Sequence, residues 1–234
     1  MISLGTTFSE AWDILRRNVF ALVVIGGLVF VPLDLLTALI DDERGWGDFA
    51  WGNVALYTIV WALGASLAYA AAITAIAVEP EGATEEARTP FAALRDAARR
   101  WPTVLAVTVA ASIGVLLGVV LLVVPGIVLA TWWLVAYQPA LVERLGWRAS
   151  LGRSRELVRG HFWQVIVVAL VAYGGLLLTD YATFRIAEAA LPDFVGAWAG
   201  GVVADTFGMA VWAALTTAAY WQLRSADGPS LQES

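Results

Sequence analysis

The chain has no cysteine, no lysine and a single histidine, His161. Without cysteine there are no disulfides, no thiolate chemistry and no cysteine-based metal site. One imidazole argues against a catalytic triad and against zinc. Charge is scarce too: 15% of the 234 residues are charged and 60% are hydrophobic, where an average soluble domain carries about 25% charged residues. A soluble globular enzyme is thereby excluded. The net charge of −6 likewise excludes a nucleic-acid binder. HExxH, GxSxG, a Walker A loop and a GxGxxG turn opening a nucleotide fold are all missing, so no catalysis and no cofactor are expected. The acidic run Asp41, Asp42, Glu43 and Asp48 reads as a solvated loop, and no metal site is expected.

What is present is long apolar runs. Six lie at about 18–40, 53–78, 103–124, 126–142, 162–184 and 196–223. At 1.5 Å per residue most can cross a hydrocarbon core of roughly 30 Å, the fourth only marginally. The third and fourth are separated only by Pro125-Gly126, which predicts a tight reversal. The first run follows Glu10, Asp13, Arg16 and Arg17 and exceeds a signal-peptide core, so it reads as a retained helix.

Arginine sets the expected orientation. With the N-terminus inside, twelve arginines fall on inner segments, and only Arg44 and Arg185 fall outside. Each odd-numbered span is preceded by an Arg-bearing amphipathic stretch, at about 5–17, 88–101 and 147–160. The pattern predicts one all-α membrane domain over 1–234. Its six transmembrane helices form three hairpins, each led by a cytoplasmic interfacial helix, with both termini cytoplasmic and a disordered tail at 225–234.

Residues 121–163 carry the most specific pattern: Val124-Pro125-Gly126-Ile127, Trp132, Pro139-Ala140, Glu143, Gly146, Leu151, Arg153-Ser154, Leu157 and Gly160 through Trp163. It resembles the membrane domain fused to some bacterial glycerophosphoryl diester phosphodiesterases, and related stand-alone six-span proteins. That resemblance implies a multi-pass protein of the bacterial cytoplasmic membrane. It does not carry over the phosphodiesterase activity, which in fused members resides in a separate soluble barrel.

Small residues at four-residue spacing supply close-packing faces: Gly64, Ala68 and Ala72; Ala106, Ala110, Gly114 and Gly118; Gly196, Gly200, Ala204 and Gly208. They serve packing within the chain or a homodimer. Ionisable groups inside spans are costly and therefore candidates for function, which singles out Asp34, Asp180 and above all Asp205. Gln138, beside the helix-disrupting Pro139, is a fourth candidate for a polar cavity. A second cluster, Arg148, Arg153, Arg155 and Arg159, suits phosphate or anionic lipid headgroups. The leading expectation is a non-catalytic scaffold or accessory subunit that organises lipid or a membrane partner protein. The alternative is a small transporter or permease component with an outward-facing acidic cavity centred on Asp205.

Overall fold

A computed structural model describes residues 3–42, 51–77, 89–191 and 193–227, and among them there is helix and no strand. The helices are α1 (Leu4–Asp42), α2 (Trp51–Ala77), α3 (Pro90–Leu121), α4 (Val123–Trp132), α5 (Tyr137–Leu141), α6 (Trp147–Arg159), α7 (Phe162–Ala190) and α8 (Asp193–Asp227). Six segments are long and apolar enough to cross a membrane: Leu4–Leu36, Thr58–Ala77, Pro90–Leu121, Val123–Leu141, Phe162–Ala187 and Trp198–Asp227. The fourth combines α4 and α5 across a break. Large apolar side chains such as Leu116, Leu121, Leu177 and Leu178 remain exposed, a surface that hydrocarbon rather than water suits.

The centre of the bundle is α8. It packs along α1 and α7 and also meets α2, while α3 lies against α2 and α4. The α1–α8 pair is antiparallel. Thr7 near the start of α1 donates to Gln222 near the end of α8 (2.8 Å), and Trp198 Nε1 near the start of α8 reaches the Val31 carbonyl (3.1 Å). Both helices can approach closely because Gly26 presses on Thr206, where a Cβ would meet Oγ1 at 2.6 Å. The small-residue faces are used within the chain: Gly64 faces Leu33, Gly118 faces Gly126, Gly200 faces Ala187 and Gly208 faces Leu176. The end holding α6 and the start of α1 is called the α6 end below.

Four expectations are corrected. Residues 5–17 are no separate interfacial helix but the first turns of α1, because no Gly or Pro stops the helix before the apolar run. Likewise 90–101 run straight into α3, started by Pro90 and by the Thr89 side chain accepting from Ala92 N (3.2 Å); residue 88 lies outside the described residues. The reversal between the third and fourth spans falls at Leu122, in extended backbone (φ −163°, ψ 129°), rather than at Pro125-Gly126. Pro125 is tolerated in the first turn of α4, where the backbone N–H groups have no intrahelical partner. Lastly, residues 225–227 of the expected tail belong to α8, while 228–234 lie outside the described residues.

Only the third amphipathic stretch is a helix of its own, α6. Gly146 precedes it, and Gly160 with His161 separates it from α7. Its buried face, Ser150, Leu151, Ser154, Leu157 and Val158, rests on the bundle itself.

Candidate functional site

Within the fourth span the helix stops at Trp132 and resumes at Tyr137. Pro139 has no N–H to give the carbonyl four residues back, so a regular helix through 133–139 would leave that acceptor without its partner. The chain turns instead, with Ala136 N bonding Trp133 O (3.1 Å) and Leu134 N bonding Thr131 O (3.4 Å). Ser154 of α6 donates to the Trp132 carbonyl (2.7 Å), satisfying one end of the break. The Arg155 guanidinium stacks on the Trp132 ring 4.4 Å from its centroid.

Asp34 on α1 and Asp205 on α8, far apart in the chain, come together, and their carboxyl groups lie close enough to act on one another. Asp34 is 6% exposed. The backbone of Gly201, one turn before Asp205, lies flat against it: a Cβ there would sit 3.5 Å from Asp34 Oδ2. Trp61 of α2 donates its indole N–H to Asp205 Oδ2 (3.1 Å). Asp180 of α7 is near enough for its charge to act on Asp205, although its side chain is exposed. Tyr69 lies within electrostatic reach of Asp205, Asp180, Tyr137 and Tyr173. Tyr173 in turn packs edge-on against Trp212 (4.7 Å between centroids).

Gln138 does not join the acids. It is fully buried in α5, and its Nε2 donates to Thr216 Oγ1 (2.9 Å). Thr216 follows Asp205 by eleven residues on α8, roughly 16 Å along the axis. The neighbouring Tyr137 hydroxyl shares a hydrogen bond with Thr108 (2.6 Å).

At the α6 end a second polar group forms around Arg153. Its Nη1 meets Asp227 Oδ2 at 2.8 Å and Glu156 Oε2 at 3.8 Å, and its Nε meets Glu143 Oε2 at 3.5 Å. Partial burial works against this guanidinium's charge, but Asp227, Glu143 and Glu156 more than offset it, and its pKa is raised. Tyr220 donates to Glu143 Oε1 (2.7 Å), and Arg224 reaches the Tyr220 oxygen (3.5 Å). Of the four candidate headgroup arginines, Arg153 is therefore occupied by carboxylates. Arg148 stacks on Trp147 (4.8 Å), Arg155 on Trp132, and Arg159 is exposed in the last turn of α6.

Sequence reasoning found the acids but missed Trp61, Tyr69, Tyr220 and Glu143. A tryptophan inside an apolar run carries no sign of polar duty. Glu143 was the better signal, an acid beside Arg144 at the end of a span. No group of three or more Asp, Glu, His or Cys suited to a metal occurs among the described residues. No protein-family model, curated protein or solved structure matches the chain.

Proposed function

We propose that the protein is a small transporter or permease component of the bacterial cytoplasmic membrane, and that the Asp34–Asp205 pair is its binding site for a proton or a small cation. The observation that carries this reading is the close approach of carboxyl oxygens from Asp34 and Asp205 inside the bundle. Two such oxygens attract each other only with a positive species, in the simplest case a proton, between them. Ionisable groups in a membrane interior are costly and are usually kept for ion or substrate paths. The break between α4 and α5 supports the same reading, since irregular backbone at membrane depth persists where protein or a water-filled cavity satisfies it. The arginine distribution supports an orientation with the α6 end and both termini in the cytoplasm and the acid pair in the outer half.

A second reading, a non-catalytic scaffold or accessory subunit on anionic lipid, rests on exposed Arg148, Arg155 and Arg159, with Arg148 stacked on Trp147 and Arg155 on Trp132. The likeness of residues 121–163 to the phosphodiesterase-fused membrane domain is compatible with either reading. That stretch folds here as the break and α6.

The deciding experiment reconstitutes the protein in lipid vesicles and follows movement of protons, alkali cations and small organic ammonium ions down imposed gradients. Asp205→Asn is expected to abolish the flux seen with the unaltered chain. Equal flux in both proteins, or none for any of these species, would overturn the transport reading.

A further inference from the structure

One stripe of α8 carries Asp205, Met209, Trp212, Thr216 and Tyr220, at steps of three and four residues. The outer end of the stripe is the acid pair. Its inner end is the Tyr220 hydroxyl, which donates to Glu143 Oε1 at 2.7 Å. Between them stands Gln138 at the break of the fourth span. Its Nε2 donates to Thr216 Oγ1 at 2.9 Å, and Thr216 passes its own hydrogen to the Trp212 carbonyl at 2.9 Å. The remaining oxygen, Oε1, belongs to a residue with 0% exposure, and no donor among the described residues reaches it. A buried amide oxygen left without a donor is destabilising, and native structures meet that need with a protein group or an ordered water.

We infer that Gln138 Oε1 holds a buried water, and that this water belongs to a proton route running from the Asp34–Asp205 pair to Glu143 at the cytoplasmic end. The inference rests on the transport reading and specifies its ion and its exit. Phenols are available to the outer part of the route: the charge of Asp205 acts on Tyr69, and the hydroxyl of Tyr137, the residue before Gln138, shares a hydrogen bond with Thr108 (2.6 Å). The inner part is the water, the Tyr220 hydroxyl and Glu143. Glu143 sits among charged groups at the α6 end: Arg153 contacts it directly, Arg224 touches the Tyr220 oxygen, and Asp227 and Glu156 share Arg153. Per transfer, one proton enters at the acid pair and each hydroxyl or water passes one on and takes one up. The Glu143 carboxylate binds the last and releases it to cytoplasmic water, so no other bond is made or lost.

The test uses the full chain in vesicles loaded with a pH-sensitive dye, with a potassium diffusion potential driving protons inward. The unaltered protein is expected to acidify the lumen. Asp205→Asn, Gln138→Leu, Tyr220→Phe and Glu143→Gln are each expected to fall to the rate of protein-free vesicles. If Asp205→Asn abolishes flux while the three inner variants retain it, the route is overturned and the transport reading stands. The same holds if another cation moves in an Asp205-dependent way and protons do not. If nothing moves, both fall. Tyr220→Phe removes one oxygen and keeps the ring, which guards against a folding artefact. An experimental density map resolving ordered water provides a measurement independent of flux: density within hydrogen-bond distance of Gln138 Oε1 is expected, and a dry site there overturns the inference.

Discussion

A tryptophan indole that donates to a carboxylate inside a helical bundle ties a charge to a scaffold residue, so its removal is felt twice. Trp61→Phe keeps most of the ring volume but takes away the N–H that meets Asp205 at 3.1 Å. Leaving a part-buried carboxylate oxygen without that donor costs about 1–3 kcal/mol. We expect a lowered midpoint of thermal unfolding in lipid discs, together with weaker cation binding at the acid pair. A normal melting curve would show that water takes over the bond. Arg144 gives the opposite sign. It is the one non-glycine residue with positive φ (58°) among the described residues, in the turn where Leu145 N reaches back to Pro139 O (3.1 Å). Its side chain is exposed, so Arg144→Gly should stabilise by about 1 kcal/mol through relief of left-handed backbone strain. An unchanged or lower melting temperature would mean that the guanidinium does more than its exposure indicates. At this scale the sequence exposed the expense of Asp34, Asp180 and Asp205 but not their arrangement. Which acids meet depends on the register of α1 against α8, and that register is set by Gly26 seating Thr206 and Gly201 lying against Asp34.

Among the helices, legibility follows the stop signals. Spans were readable from apolar length alone, yet two of three expected interfacial helices merge into α1 and α3, because amphipathicity changes which face is buried without interrupting backbone hydrogen bonds. Where α6 does separate, Gly160 closes it still in the right-handed region (φ −79°, ψ −11°) and His161 leaves helical geometry, at φ −134°. The break at 133–136 was half legible: Pro139 announced a lost hydrogen bond, but the unwinding of a full turn also needs Ser154 to take the Trp132 carbonyl. Restoring the missing donor tests this account. Pro139→Ala should let α4 and α5 join, since alanine supplies the N–H and avoids the ring clash, a difference of about 3 kcal/mol in a regular helix. Amide exchange across residues 133–139 is expected to slow, while transport falls because Gln138 rotates away from Thr216. Unchanged exchange would show that α6 rather than proline holds the break open.

For the molecule as a whole, orientation decides what every site can do, and it rests on a physical asymmetry spread over the chain rather than on any one contact. Eleven of the twelve arginines among the described residues belong to segments on the side of α6 and the start of α1, Arg185 being the exception. Moving them across a bilayer would be opposed at each residue, so the bias acts collectively. The folded bundle adds fastenings at the same end. Gln222 joins Thr6 and Glu10 (3.0 Å each), and Arg153 joins α6 to the end of α8 through Asp227. The absence of native cysteine makes the orientation directly measurable, because any introduced thiol is the only one present. Ser225 lies exposed at the α6 end and Leu191 exposed at the other, so each tolerates a small replacement. In intact spheroplasts treated with a membrane-impermeant maleimide, Leu191→Cys is expected to label and Ser225→Cys to stay protected until the membrane is permeabilised. The reverse pattern would put the acid pair on the cytoplasmic half and Glu143 at the outer face. The proton route would then run outward from the cell, and the exposed Arg148, Arg155 and Arg159 would lose the anionic inner leaflet on which the scaffold reading depends.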